Sequence, residues 1–448
     1  MKNLWRWGLV TNSLLNSEWL KLLGHYKRLF VGFSGGLDST VLLVNLAAEP
    51  ALAPKLTAVH INHGLSPQAL TWQNHCQLFC QERQIPFVFQ KVEFERQANI
   101  EAAARKARYK VFESLLEVDD CLILGHHLDD QAETLLLQLF RGTGVDGLAA
   151  MVAVKDFAAG QLLRPLLQQS RQCLEVYAQT QQLQWIEDES NQNTAFSRNY
   201  LRHQVIPLVA KRWPAITTNL VRTAGHCQEA QANLDDLAKI DCPALDLNPS
   251  TLTIEPLLLL KPARLSNVLR LWFKVNQVSL PNAATFKRLV SEMILANCDA
   301  NPQINWGECT VRRYQQTLYL LKKESKILSR QLAWPSFPDP LYLEGIGYLQ
   351  VQPKRKGLVL PSSSQIEIRF RQGGEFFKWH GQTKQLKKLF QEWQIPPWLR
   401  ERIPLLYINS ELAAVIGYAV SDLYYQENTS EACQVLVAPV NKTQGFKI

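Results

Sequence analysis

Residues 27–125 alternate between short apolar segments and longer amphipathic ones, and this alternation restricts the fold more than any other feature of the chain. The pattern predicts four strands, at 28–33, 56–62, 87–94 and 121–125. It predicts three helices between them, at 39–48, 68–83 and 101–116. Because neighbouring parallel strands are joined by crossover connections that are usually helices, this alternation predicts a parallel sheet with helices on both faces.

Polar residues follow three of these strands, at the point where each strand ends. The segments are Ser34–Thr40, His60–Gly64 and His126–Asp130. In open parallel sheets, ligands bind outside the carboxyl ends of the strands, where the connections reverse direction. The sequence therefore places its candidate chemistry at one edge of the predicted sheet.

The length of 448 residues predicts two to four domains. After the sheet region, 216–330 has a mostly helical pattern with a strand-like tail at 311–321, and a proline-rich segment follows at 334–340. Short strands are then expected at 349–352, 365–370, 412–416 and 434–437, flanking basic helices between 383 and 393. We predict an α/β catalytic domain at 1–215, a helical domain at 216–333 and a small α+β domain at 334–448.

Several classes of protein are disfavoured by composition. The longest apolar stretches, such as Leu257 to Leu260, fall far short of the roughly 18 residues that cross a bilayer. The N-terminus carries Arg6 inside its only apolar patch and has no small-residue cleavage site after it, so we expect a cytoplasmic protein. The nine cysteines include no C-x-x-C pair, which disfavours a disulfide scaffold and a structural zinc site.

Positive charge is concentrated near the C-terminus. Residues 354–402 contain eleven Lys or Arg and four Glu, nearly the whole net charge of +8, with Trp and Phe residues among them. Lysine and arginine displace condensed counterions when they bind a phosphate backbone, so this stretch favours contact with nucleic acid. A solvated face around an aromatic core explains the same pattern.

The first polar segment, Ser34–Thr40, has the composition of a phosphate-binding loop. Its two glycines allow a tight turn between strand and helix, and amides at the helix start point towards an anion. No lysine follows the glycines, so the usual γ-phosphoryl-transfer loop is absent. The sequence Ser-Gly-Gly-Leu-Asp-Ser resembles the loop of the N-type ATP pyrophosphatases, which bind pyrophosphate and transfer AMP to a substrate oxygen. The alternative is a turn followed by an ordinary helix cap.

The third polar segment begins a helix that carries clustered acids. Asp129 and Glu133 are four residues apart, and Asp130 and Glu133 are three apart, so their carboxylates share one helix face. Such acids beside an ATP site can bind Mg²⁺ or an ammonium group. Carboxylates stabilising a helix N-terminus would explain one or two of them. The His126-His127 pair lacks a nearby thiolate, which disfavours zinc.

Taken together, these motifs resemble the bacterial tRNA(Ile)-lysidine synthetases. The resemblance is carried in the N-terminal half by segments 34–40, 60–65, 101–109, 125–147, 164–167, 187–191 and 198–202. In the C-terminal part it is carried by segments 371–375, 384–390, 395–400 and 404–406. The order and spacing of the motifs are similar as well, and they cover both ends of the chain.

This resemblance implies a Rossmann-like parallel-sheet domain of the adenine nucleotide α-hydrolase type. It also implies a ligase that uses ATP and Mg²⁺ to join free L-lysine to C2 of the wobble cytidine of an isoleucine tRNA with a CAU anticodon. The implied intermediate is an adenylated tRNA, and the products include AMP and pyrophosphate. Decoding then changes from AUG to AUA and identity from methionine to isoleucine. Neither a membrane nor an obligate protein partner is implied.

The resemblance and the chemistry of the residues together assign expected roles. ATP is expected to contact Ser34, Gly35, Gly36, Leu37, Asp38, Ser39, Thr40 and His60. The reaction centre is expected to contain Asp38, Arg108, Asp130 and Glu133. Of these, Asp38 and Asp130 are expected to hold Mg²⁺, whereas Asp130 and Glu133 are expected to bind lysine. The tRNA is expected to contact Arg105, Arg198, Arg202, Arg371, Lys384, Lys387, Lys388 and Arg400.

Three alternatives are open at this point. A glutamine-fed amide ligase needs a nucleophilic cysteine, and the Met1-Lys2 terminus offers none. A tRNA thiolase usually relies on paired cysteines, and only Cys76 and Cys80 are closely spaced, on a predicted helix away from the loop. A catalytically inactive RNA-binding protein would not be expected to keep both the loop and the acidic cluster.

Overall fold

The computed structural model describes residues 13–64, 66–93, 100–247, 250–295, 302–322, 331–361 and 364–438. Leu65, at the end of the second motif, and Phe94, at the end of the third predicted strand, lie outside these residues. The chain divides into two compact units between Leu234 and Asp235.

The first unit contains one six-stranded sheet and its helices. Its strands are β1 (Leu29–Gly32), β2 (Leu56–Asn62), β3 (Phe87–Lys91), β4 (Cys121–Ile123), β5 (Val154–Phe157) and β6 (Gly160–Leu163). Its helices are α1 (Ser17–Gly24), α2 (Leu37–Ala47), α3 (Ala69–Glu82), α4 (Ile100–Leu115), α5 (Leu128–Phe140), α6 (Val145–Leu148), α7 (Arg171–Thr180), α8 (Ser197–Tyr200) and α9 (Ile206–Ala210). Short 3₁₀ turns lie at Ala53–Lys55 and Glu189–Gln192, and a π-helical segment at Leu201–Val205 follows α8.

The strand order β3-β2-β1-β4-β6-β5 confirms the predicted parallel sheet. Strand β1 pairs in parallel with β2 on one side and with β4 on the other, so the direction of the connections reverses beside β1. Only β5 runs antiparallel, as the first strand of a hairpin with β6 that the sequence pattern did not predict.

Both faces of the sheet are buried because β1 carries apolar side chains on alternate sides. Leu29 and Val31 belong to a core cluster that includes residues of α2, α3 and α7. Phe30 belongs to a second cluster that includes Phe112 of α4. A strand covered on both faces is expected to be a continuous apolar run, which is what the sequence shows at this position.

Helix α10 (Ile216–Asp241) runs from the first unit into the second. The other helices of the second unit are α11 (Ala244–Leu247), α12 (Ile254–Leu258), α13 (Pro262–Val275), α14 (Ala283–Arg288), α15 (Leu386–Glu392) and α16 (Pro397–Arg400), with a π-helical segment at Leu289–Ile294. Its strands are β7 (Thr251–Thr253), β8 (Gln303–Trp306), β9 (Cys309–Tyr314), β10 (Thr317–Lys322), β11 (Gln331–Ala333), β12 (Leu341–Leu343), β13 (Gly347–Leu358), β14 (Ile366–Arg369), β15 (Phe376–Trp379), β16 (Gln382–Gln385), β17 (Leu405–Ile408), β18 (Glu411–Val415), β19 (Ala419–Val420), β20 (Tyr425–Glu427) and β21 (Cys433–Ala438).

These strands form antiparallel sheets. One has the order β7-β10-β9-β8, one has the order β11-β14-β17-β18-β19, and a third joins β12, β20 and β21 to β13. The strand-like tail predicted at 311–321 is in fact a hairpin of β9 and β10 that turns at Gln315, whose φ is 53°. No glycine or proline marks this turn, so the alternation of apolar residues continues across it and the sequence predicts one strand in place of two. Within the part of the chain that is described, no helix is long and apolar enough to cross a membrane.

Candidate active site

The loop Ser34–Thr40 connects β1 to α2 and is held by its own hydroxyl groups. The Ser34 N–H donates to Ser39 Oγ over 3.2 Å, and Ser39 Oγ donates to the Gly36 carbonyl over 3.0 Å. The Thr40 hydroxyl donates to the Gly35 carbonyl over 3.3 Å. These contacts fix the turn so that the first amides of α2 are left at the carboxyl edge of the sheet, which is the arrangement that binds anions.

Gly35 is required by both backbone conformation and space. Its φ is +82°, in the left-handed region that favours glycine. A Cβ atom at this position would lie 2.6 Å from Ile186 Cδ1 and 2.8 Å from Cys76 Sγ. The Ile186 N–H also donates to the Gly35 carbonyl over 2.8 Å. The loop is therefore packed closely against residues that lie far away in the sequence.

Asp38 lies in the first turn of α2 and faces the start of α5. Its Oδ2 atom is 3.6 Å from His127 Nε2, and its side chain is 31% exposed. Its buried Oδ1 atom accepts no hydrogen bond from any residue that the structure describes. Burial is the main cause that raises the pKa of Asp38, opposed by His127 and reinforced by the charge of Asp130. A carboxylate oxygen that is buried and lacks a donor is suited to a cation or to a substrate group.

His127 is the N-cap of α5 and is fully buried. The Asp129 N–H donates to His127 Nδ1 over 3.2 Å, and the His127 N–H donates to Asp130 Oδ2 over 3.1 Å. Burial works to lower the pKa of His127, but Asp129, Asp130 and Asp38 outweigh it, so that the pKa is raised. The ring Nε2 lies 3.5 Å from Asp130 Oδ2, between that carboxylate and Asp38. The second histidine of the pair therefore links the loop to the acidic cluster.

Glu133 and Asp130 bind two arginines from the segment that includes α8. Glu133 is 1% exposed, and its Oε2 accepts from Arg198 Nε over 2.7 Å while its Oε1 accepts from Arg202 Nε over 2.6 Å. Arg202 Nη2 also donates to Asp130 Oδ1 over 3.2 Å. Burial raises the pKa of Asp130, but the charges of His127 and Arg198 outweigh burial, so that the pKa is lowered. The structure therefore brings two predicted acids together with two predicted arginines that lie 65 to 72 positions further along the chain.

The two carboxylates that are predicted to bind the lysine substrate, Asp130 and Glu133, have different hydrogen-bond partners. Both oxygens of Glu133 already pair with arginine, whereas Asp130 shares its oxygens between Arg202 and His127. The lysine-binding role remains a prediction for both acids. The arginine partners of Glu133 were not predicted, although two arginines four residues apart are a recognisable signal for a shared helix face.

Predicted site residues in β2, directly after it and on α4 also belong to the first unit. His60 is buried, and its Nδ1 lies 3.0 Å from the Phe33 carbonyl, the residue before the loop. Burial lowers the pKa of His63 to about 4, together with the charges of Arg108 and His60. Arg105 is exposed and donates through Nη2 to the Tyr109 hydroxyl over 3.3 Å. Arg108 on α4 is therefore near enough for its charge to act on the His63 ring, which follows β2.

Two further contacts at the start of α5 had no counterpart in the sequence reasoning. Asp129 Oδ2 accepts from the Arg171 N–H over 2.8 Å, which joins α5 to the first residue of α7. Arg164 is buried and donates through Nε to His126 Nδ1 over 3.3 Å. Burial and the nearby arginines lower the pKa of His126 to about 3 despite the charge of Asp130. His126 is therefore neutral at neutral pH and accepts the hydrogen bond from Arg164.

The basic residues predicted for the second unit differ in exposure. Lys387 and Lys388 are exposed on α15, whereas Lys384 Nζ pairs with Glu392 Oε2 over 2.9 Å. Arg371 lies over the Phe390 ring at 6.0 Å. Arg400 is buried and donates through Nε to the Ile395 carbonyl over 2.8 Å. The predicted RNA contact of Arg400 would therefore require it to leave an internal position.

The residues expected to hold Mg²⁺ are compatible with that ion. Asp38 and Asp130 flank His127 and present carboxylate oxygens, one of which is the buried Oδ1 of Asp38 that accepts no bond within the described residues. Magnesium is usually held by one or two carboxylates together with substrate phosphates. Across the described ranges, no group of three or more His, Cys, Asp or Glu side chains is arranged to hold a metal by itself.

Comparison with known proteins adds the following findings. Profiles of the PP-loop domain, the TilS substrate binding domain and the TilS substrate C-terminal domain match residues 12–209, 252–319 and 366–437. The chain is 54% identical over 429 residues to a tRNA(Ile)-lysidine synthase of Legionella pneumophila strain Philadelphia 1, covering 96% of this chain and 99% of that protein. It is 41% identical to a tRNA(Ile)-lysidine synthase of Coxiella burnetii, covering 91% and 93% of the two chains. A solved U34-tRNA thiolase from Methanococcus maripaludis aligns with a TM-score of 0.40 at 19% identity, covering 48% of this chain and 76% of that one.

Proposed function

This chain belongs to the tRNA(Ile)-lysidine synthase family, and from that premise we propose that it joins the ε-amine of free lysine to C2 of the wobble cytidine of an isoleucine tRNA with a CAU anticodon. ATP is the energy source and is converted to AMP and pyrophosphate. The observation that carries this proposal is the position of Asp38, whose buried Oδ1 lies at the end of the phosphate loop with no donor among the described residues. The same side chain faces the His127 and Asp130 pair that begins α5.

In the first step, the cytidine O2 attacks the α-phosphate of ATP. A new O–P bond forms, the bond between the α- and β-phosphates breaks, and pyrophosphate leaves. The amides that open α2 bind the phosphates, because a helix N-terminus carries partial positive charge. Arg108 supplies further positive charge near the transferred phosphate, since arginine binds phosphate oxygens in a bidentate manner. When bound, Mg²⁺ neutralises phosphate charge, and Asp38 and Asp130 would hold it.

In the second step, the lysine ε-amine attacks C2 of the adenylated base and AMP leaves. The ammonium must first lose a proton, so it needs a base nearby that can accept one, and an ionised carboxylate can do so. Asp130 and Glu133 supply the negative charge that attracts the ammonium. Asp130 is the more exposed of the two, with 13% of its side chain accessible against 1% for Glu133, although Arg202 and His127 already contact its oxygens.

The tRNA is bound by basic residues of both units. Lys387 and Lys388 on α15 are exposed and free to meet phosphate oxygens, which position the RNA without reading its sequence. Lys384 and Arg371 contribute charge on neighbouring elements. In the first unit, the exposed Arg105 on α4 is placed for the same role.

The experiment incubates the purified chain with ATP, Mg²⁺, radiolabelled lysine and a CAU isoleucine tRNA transcript. Label is expected to enter the tRNA, and AMP is expected to form in equal amount. A matched control uses Asp38→Asn, and a second control omits ATP. Absence of label from the tRNA, with the folded protein confirmed by circular dichroism, would refute the proposal. Release of ammonia from glutamine or entry of labelled sulfur would instead support an amide ligase or a thiolase.

A further inference from the structure

The segment that carries Arg198 and Arg202 has a second side that the chemistry above does not use. Arg198 and Arg202 are four residues apart and turn towards Glu133. Phe196 and Tyr200 are also four apart, and the Tyr200 N–H donates to the Phe196 carbonyl over 2.9 Å, as expected for one helical turn. Two residues correspond to about 200° of helix rotation, so the two rings face away from the arginines.

Both rings are exposed to solvent. Phe196 is 43% exposed and Tyr200 is 52% exposed. Among the residues that the structure describes, neither ring stacks on another aromatic ring. Phe196 is the N-cap of α8 and Tyr200 is its last residue, so the two rings lie about one turn apart. Exposed aromatic rings, tyrosine above all, are enriched at binding surfaces.

The backbone beneath the rings is held in place. The Asn199 side-chain amide donates to the Ser190 carbonyl over 2.9 Å and to the Asn193 carbonyl over 3.0 Å. His203 Nε2 lies 2.9 Å from the Asn191 carbonyl. Leu201, between the two arginine turns, is buried. The rings are therefore displayed on a fixed scaffold, which lowers the entropy lost when a flat ligand stacks on them.

The chain that follows the rings is free of acidic residues, whereas Glu187, Asp188 and Glu189 lie directly before residue 190. Residues 190–228 contain five Lys or Arg and no Asp or Glu. Two of the five are Arg198 and Arg202, while Lys211 and Arg212 are exposed beside Trp213, whose ring is also exposed. Aromatic rings beside exposed cations, here Lys211 and Arg212, are the combination that binds single-stranded nucleic acid, because bases stack on rings while phosphates meet cations.

We propose that Phe196 and Tyr200 form a stacking platform for unpaired bases of an RNA loop, with Lys211 and Arg212 meeting its phosphates. The inference rests on the proposed function, since it assigns the nucleotides beside the target cytidine to the outer side of the segment whose inner side holds Arg198 and Arg202. A helix is about 10 Å across, so a loop that inserts one base at the inner side passes its next nucleotides over the outer side.

The test measures binding of a fluorescent RNA stem-loop with a CAU loop to the full chain. Phe196→Leu/Tyr200→Leu removes both rings and keeps apolar bulk, whereas Phe196→Tyr/Tyr200→Phe keeps both rings. Tyr342→Leu is the matched control, since Tyr342 is 49% exposed on β12 of the second unit. We expect the leucine double variant to weaken binding by about tenfold or more, and the other two variants to bind within about twofold of the parent. A duplex of the same stem without a loop should not distinguish the variants.

Unchanged stem-loop affinity in the leucine double variant would overturn the proposal, as would an equal loss in Tyr342→Leu. Unchanged RNA affinity together with reduced self-association in sedimentation would assign the rings to a contact between copies, and this would also overturn it. Lysine incorporation by the parent protein separates the two proposals. Platform-dependent RNA binding without lysine incorporation refutes only the proposed reaction, and incorporation with platform-independent binding refutes only the platform.

Discussion

Replacing Gly35 with alanine is expected to destabilise the first unit and to abolish ATP binding. At a φ of +82°, a residue with a Cβ atom costs about 1–2 kcal/mol relative to glycine. The added Cβ would also lie 2.6 Å from Ile186 Cδ1 and 2.8 Å from Cys76 Sγ. The Ile186 methyl is the end of a flexible side chain and can move, but Cys76 is fully buried, so overpacking adds about 1–2 kcal/mol.

Together these contributions predict a loss of about 3 kcal/mol, which at an m value of about 3 kcal/mol/M lowers the urea midpoint by about 1 M. Urea unfolding followed by circular dichroism measures this shift, and titration with ATP measures nucleotide binding. The matched control is Gly36→Ala, because Gly36 has a negative φ and a Cβ there would meet nothing closer than Ser34 Oγ at 3.5 Å. Its midpoint should stay close to that of the parent. Equal midpoints for Gly35→Ala and the parent, or equal losses for the two alanine variants, would show that the reasoning is wrong.

Three further predictions concern charge. Asp38→Asn should abolish AMP formation while the tRNA is retained on a filter, and normal AMP formation by this variant would contradict the role given to the carboxylate. In the β16–α15 region, we would replace three lysines by glutamine: Lys384, Lys387 and Lys388. This change should weaken tRNA retention about tenfold at low salt and make the retention less dependent on salt concentration. Filter binding measures the effect, with an unrelated duplex as control. The pKa of about 4 for half-buried His63 means that folding favours its neutral form, so the stability it contributes is present above about pH 6.5 and is lost as the pH falls towards 4. His63→Asn should reduce the fall of the urea midpoint across that range, and an unchanged pH profile would contradict this assignment.

The sheet and the phosphate loop were predictable because their signals are local. A strand buried on both faces is a continuous apolar run, and a glycine pair between strand and helix specifies a tight turn in sequence alone. The same local reasoning places His127 at the start of a helix, where its side chain can cap the first turn. These features depend on neighbours within a few residues.

Other features depend on contacts that no local pattern encodes. The pairing of Glu133 with Arg198 and Arg202 joins residues 65 and 69 positions apart. Arginine is usually a surface residue, yet tertiary packing buries Arg400, and its Nε donates to the Ile395 carbonyl. The β9–β10 hairpin turns at a glutamine with positive φ, a residue that propensity does not mark as a turn. In each case tertiary structure decided between conformations that the sequence allowed.

The shared carboxylate of Glu133 has a consequence for how this protein can change over time. One acid pairs with two guanidinium groups, so losing it leaves two half-buried cations poorly compensated, and losing either arginine leaves part of a buried anion without a counter-charge. We therefore expect positions 133, 198 and 202 to tolerate substitution only as a set. A library that varies one of them alone should yield few variants that fold, whereas simultaneous variation of all three should recover folded combinations, as measured by soluble expression and thermal unfolding.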